Sequence, residues 1–137
     1  MSLKKIIFLG IIINIISLIV LYLTMHKYEK EISANCMNCS YFQDVLINGL
    51  SILIFPIVYI SSRFIANKNI SLVIISLYGI FNIFLAQIGI FNSRVASWSS
   101  FTNMEMITGV FLEQYLSLIL IFGVFILIIK FIFLKMR

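Results

Sequence analysis

Residues Ile6–Met25 read IIFLGIIINIISLIVLYLTM, a run of 20 residues without a charge. At 1.5 Å of rise per residue, a helix of this length covers about 30 Å, the thickness of a bilayer's hydrocarbon core. Three further apolar runs follow at Val45–Ser61, Ile70–Phe91 and Val110–Phe133, the first of them long enough only with help from its flanks. Hydrophobic residues make up 62% of the 137-residue chain and charged residues 11%, which excludes an ordinary soluble domain. The expected fold is an all-α membrane protein: a single domain over residues 1–137 with four transmembrane helices. With no water to satisfy the backbone and only short connections, an up-down-up-down bundle follows. Pro56 is expected to kink the second helix by freeing the carbonyl of Ile52.

Charge sets the expected orientation. Lys4, Lys5, Arg63, Lys68, Lys130, Lys135 and Arg137 flank the spans on one side with no acid among them. Lys27, Lys30 and Arg94 face Glu29, Glu31, Asp44, Glu105 and Glu113 on the other. The positive-inside rule then places both termini in the cytoplasm of a cell with a bacterial inner membrane. The net charge of +5 is spread over short juxtamembrane segments, which suits anionic lipid headgroups and not nucleic acid. The first apolar run exceeds the core of a signal peptide, and Thr24–Glu31 lacks a small-x-small site, so this span is expected to be retained.

Small and polar residues recur at helical spacing. Gly10, Asn14 and Ser17 share a face of the first span; Ser76, Gly79, Asn82, Ala86 and Gly89 share one of the third; Gly109, Glu113 and Ser117 share one of the fourth. Such stripes allow close helix approach and interhelical hydrogen bonds. The stripe on the third span is long enough to suggest a homo-oligomer seam. No ionisable residue lies near the middle of a span, which argues against an ion-coupled transporter. Trp98, Tyr22, Tyr28, Tyr41 and Tyr115 read as an aromatic belt at the outer boundary, with His26 among them.

The only cysteines form Cys36-Met37-Asn38-Cys39 just before the second span. In an oxidising outer compartment this pair can close a disulfide, as a small staple or as a redox centre. A metal site is not expected, because the pair supplies two ligands and His26 is the sole histidine. Four helices, cytoplasmic termini, Cys-x-x-Cys ahead of the second helix, Tyr41 after it and the stretch Leu77-Tyr78-Gly79-Ile80-Phe81 together resemble the DsbB family. The resemblance implies electron transfer from a thiol oxidase outside the membrane through Cys36 and Cys39 to quinone. The chain departs from that family in two places. Gln43 stands where an arginine usually follows the motif, and Asn92–Thr108 lacks the second cysteine pair.

From the residues alone, the leading expectation is a non-enzymatic inner-membrane protein without a cofactor, working in cell defence. It would confer immunity to a membrane-targeting toxin or serve as the membrane sensor of an anti-phage system. Helix contacts through Asn14, Asn82, Gln87, Gly79 and Gly89 would do the work, with Arg63 and Lys68 contacting a cytoplasmic protein. The alternatives are the thiol oxidoreductase with quinone, and an accessory subunit of a larger membrane complex.

Overall fold

The computed structural model describes residues 3–35 and 38–136; the side chain of Lys68 and most of those beyond Tyr115, Ser117 included, lie outside the description. All its described elements are helical: α1 (Leu3–Thr24), α2 (Tyr41–Gly49), α3 (Ile54–Phe64), α4 (Lys68–Arg94) and α5 (Asn103–Met136), with single 3-10 turns at His26–Tyr28 and Ala96–Trp98. Among the described residues, three segments are long and apolar enough to cross a membrane: Leu3–Thr24, Tyr41–Phe64 and Asn69–Trp98.

Local signals explain the helix starts. Ser40 caps α2 in a reciprocal box: its hydroxyl accepts from the Gln43 amide at 3.3 Å, while the Gln43 side chain accepts from the Ser40 amide at 2.8 Å. Asn67 accepts from the amides of Asn69 and Ile70 at the start of α4. Thr102 and Glu105 form the same kind of box before α5. Glu105 is exposed, and the Thr102 amide, followed by the Thr102 hydroxyl, holds its carboxyl below the usual range.

The second apolar run departs from the expected kink. Instead of one bent helix it forms two, α2 and α3, separated by an unwound stretch from Leu50 to Leu53. The carbonyl of Ile52 is not freed, because it accepts from the Phe55 amide at 3.3 Å. Asn14, halfway along α1, serves the break as a substitute backbone. Its Oδ1 accepts from the Ser51 amide at 3.0 Å, and its Nδ2 donates to the Ser51 carbonyl at 3.2 Å and to the Gly10 carbonyl at 3.1 Å. The Ser51 hydroxyl lies 2.9 Å from the Tyr78 hydroxyl of α4, so three helical segments meet at this polar node.

Around the node the core falls into two clusters. Leu9, Ile13, Ile54, Val58 and Ile75 centre the one nearer the termini. Leu21, Met25, Val45, Ile90 and Phe91 centre the one nearer the long loops. The small-residue faces of α1 and α4 are turned inward, whereas on α5 Gly109 is partly buried, Glu113 is exposed and the Ser117 side chain lies outside the described residues. Gly10, Asn14 and Ser17 are buried, as are Ser76, Gly79 and Ala86, while Asn82 and Gly89 are partly buried. The face expected to form an oligomer seam is therefore covered largely within one chain.

Gly89 shows how close the approach is. A Cβ there would lie 2.2 Å from Asn48 Oδ1 and 2.9 Å from its Cγ. Asn48 has little freedom to retreat, since its Nδ2 donates to the Asp44 carbonyl at 2.8 Å. Gly89→Ala is expected to cost about 1–3 kcal/mol by overpacking. Unfolding of the purified protein in detergent measures this, and a cost near zero would mean that α2 and α4 can separate freely.

Candidate functional site

The long loops meet over one end of the bundle, and a buried ion pair organises them. Arg94, the last residue of α4, is 2% exposed, and Asp44, in the first turn of α2, is fully buried. Arg94 Nε donates to Asp44 Oδ2 at 2.7 Å. The other carboxylate oxygen accepts from the Ser33 hydroxyl at 3.0 Å and from Asn35 Nδ2 at 2.9 Å. Arg94 Nη1 donates to the carbonyls of Glu31 at 2.6 Å, Glu29 at 2.9 Å and Tyr28 at 3.3 Å, and Nη2 reaches the Cys39 carbonyl at 3.4 Å. The guanidinium plane also stands 5.3 Å from the Tyr41 ring centre. A single side chain thus binds both ends of the first loop, and the planar fork of arginine suits this set of acceptors.

Cys39 lies one residue before the capping Ser40 and is disulfide-bonded. The sequence holds one other cysteine, Cys36, which lies outside the described residues. Gln43 is spent on the capping box. The arginine that reaches the cysteine loop is Arg94, arriving through space from the end of α4.

Aromatic side chains border the cysteine loop on the α1 side. The rings of Tyr22 and Tyr41 are 5.0 Å apart, and His26 lies 5.9 Å from Tyr22 and 6.1 Å from Tyr41. The Tyr41 hydroxyl donates to the Tyr22 carbonyl at 2.7 Å, fixing α2 to the end of α1. His26 Nδ1 is 3.3 Å from Glu29 Oε2. Just below, Leu18, Ile19, Tyr22, Leu23 and Phe42 line an open groove of about 370 Å³.

A second set of contacts ties this cap to α5. Lys27 Nζ and the Tyr28 hydroxyl both donate to Glu113 Oε2, the latter at 2.5 Å. Partial burial works against the Lys27 charge, but hydrogen bonds to Glu113 and Tyr28 outweigh it and its pKa ends above the ordinary value. Burial, then Glu113, pushes the Tyr28 hydroxyl up. Glu105 and Glu113 do not meet; each is engaged with other partners. Trp98 Nε1 donates to the Ile32 carbonyl at 2.8 Å, joining the second loop to the first. Deeper in, Gln87 Nε2 donates to the Thr24 hydroxyl and Gln114 Nε2 to the Thr24 carbonyl.

At the opposite end Arg63 is exposed, and the Lys68 side chain lies outside the described residues. In the sequence Asp44 and Arg94 stand as two loop charges 50 residues apart, and their pairing is not evident there. The available signal was their position, since each sits where an apolar helix begins or ends in a chain with few charges. Compared with known families, curated proteins and solved structures, the chain matches none.

Proposed function

We propose that this is a four-span thiol–disulfide oxidoreductase of the bacterial inner membrane, with both termini cytoplasmic and the Cys36/Cys39 pair facing outward. The observation that carries the proposal is that Cys39 is disulfide-bonded in a loop already fixed by Arg94 and Asp44. A disulfide closing so short a ring removes little chain entropy, and the loop has other anchors, so a staple would add little. A redox role gives the pair a use. The resemblance to the DsbB family points the same way, with Arg94 standing in for the arginine missing at Gln43.

A thiolate of a soluble dithiol protein attacks the Cys36–Cys39 disulfide, and the mixed disulfide is resolved by that protein's second thiol. The partner leaves oxidised, and Cys36 and Cys39 are left as thiols. Their two electrons and two protons pass to a quinone, giving a quinol and restoring the disulfide. The groove lined by Leu18, Tyr22, Leu23 and Phe42 fits a flat apolar ring and opens beside the first turn of α2. The absence of a second cysteine pair means that the incoming thiol must engage Cys36/Cys39 directly.

The defence reading is less well supported, because two of its proposed recognition groups, Asn14 and the Gln87 Nε2, already bond within the chain. The test is to reconstitute the protein with a reduced dithiol protein and a short-chain quinone and follow quinol formation. Cys36→Ser and Cys39→Ser should each abolish turnover while leaving the melting behaviour nearly unchanged. A wild-type protein that forms no quinol above background and whose pair stays oxidised throughout would sink the proposal.

A further inference from the structure

The turn at His26–Tyr28 sets the chain's one histidine between the two parts that the proposed reaction must connect. On one side its ring lies 5.9 Å from that of Tyr22, which lines the outer groove together with Leu18, Ile19, Leu23 and Phe42. On the other it packs edge-on against Tyr41 at 6.1 Å, two residues after Cys39 and next to Phe42. Glu29 Oε2 stands 3.3 Å from Nδ1, and the imidazole is about half exposed. A carboxylate at Nδ1 orients the ring and favours a proton on that nitrogen, which leaves Nε2 as the position that exchanges protons.

Reoxidation of the cysteine pair releases two protons, and quinol formation takes up two. Of the side chains lining the groove only Tyr22 carries a polar group, and a phenol is a poor proton source at neutral pH. The groups facing His26 are Tyr22 from α1, Glu29 from its own loop and Tyr41 from α2, with Arg94 of α4 lying 5.3 Å from the Tyr41 ring. The neighbouring polar groups are committed elsewhere. The Tyr41 hydroxyl donates to the Tyr22 carbonyl, Lys27 and Tyr28 donate to Glu113 of α5, and Arg94 is bound to Asp44. Imidazole is the side chain suited to take up and release a proton near neutral pH.

We infer that His26, oriented by Glu29, is the proton carrier of the quinone step, giving its Nε2 proton to the quinone oxygen nearest the cap and recovering one from the cysteine thiols. The second thiol proton leaves to water at the outer surface, and the second quinone oxygen takes one from water. Two electrons and two protons thus leave the cysteines, and two of each reach the quinone. The inference rests on the oxidoreductase reading and adds to it a catalytic residue outside the cysteine motif.

The test uses the full-length protein in lipid nanodiscs with its pair reduced beforehand, mixed with a short-chain quinone in a single turnover. His26→Gln should slow quinol formation about 100-fold, the lower end of what general acid–base catalysis contributes. Added imidazole should restore part of that rate. The wild-type rate should carry a limb within about pH 5–8, where histidines titrate, and the variant should lack it. Glu29→Gln should slow the same step less than His26→Gln does. Reduction of the Cys36–Cys39 disulfide by a dithiol protein, which does not involve the quinone, should be unchanged in both variants. Quinol formation by His26→Gln within twofold of wild type would overturn the inference while leaving the oxidoreductase reading in place. Equal slowing of both half-reactions without rescue by imidazole would also overturn it, because the residue would then act only on the shape of the cap. A wild-type protein that forms no quinol takes both readings down.

Discussion

Replacing Arg94 by methionine is expected to destabilise the protein by about 3–5 kcal/mol, the cost of leaving one member of a buried ion pair alone. Methionine keeps much of the volume, so the loss reports on charge and hydrogen bonding more than on packing. Asp44 would remain fully buried, with Ser33 and Asn35 still donating to one oxygen and nothing on the other. The carbonyls of Tyr28, Glu29, Glu31 and Cys39 would lose a donor at the same time. The double variant Arg94→Met, Asp44→Asn should recover part of the loss, because no uncompensated charge then stays inside. Unfolding in mixed micelles measures stability, and the rate at which a small reductant opens the Cys39 disulfide reports the loop separately. Arg94→Met within about 0.5 kcal/mol of wild type would show that the loop is held by other means.

Asn14→Leu is the second large effect, expected at about 2–4 kcal/mol. Hydrogen bonds between transmembrane helices are commonly worth under about 1 kcal/mol, because the separated helices find other partners in the membrane. Asn14 is different in what it leaves behind. Without it, the amide and carbonyl of Ser51 both lose their partner at the centre of the bundle, at about 1–3 kcal/mol for each unsatisfied group. Ser51→Ala removes only the hydroxyl contact to Tyr78 and should cost under about 1 kcal/mol. Similar losses for the two variants in a micelle unfolding series would mean that the break does not depend on Asn14.

The apolar runs were legible from composition, since a bilayer-length segment has a strong one-dimensional signature. Helix ends were also close to readable: Ser40 with Gln43, Asn67, and Thr102 with Glu105 all carry local capping chemistry. The break after Gly49 was not, because Val45–Ser61 carries no charge and Pro56 points to a different carbonyl. What decides it is Asn14, 37 residues away, whose side chain can replace the missing backbone partner. Arg94 was obscured for the same reason. In the sequence it is one charge in an outer loop, and only the convergence of α2 and α4 turns it into the centre of the cap. The cysteine motif could be seen, but not that its loop hangs on a residue 55 positions after Cys39.

That separation fixes an order of assembly. Asp44 leaves the ribosome 50 residues before Arg94, and every segment that Arg94 binds is made before it. Until the end of α4 has been made, the segments on either side of the cysteine loop and the Asp44 carboxylate lack the one guanidinium that joins them. The cap can therefore take its final shape only after the last of its parts is synthesised, whatever order the helices pack in.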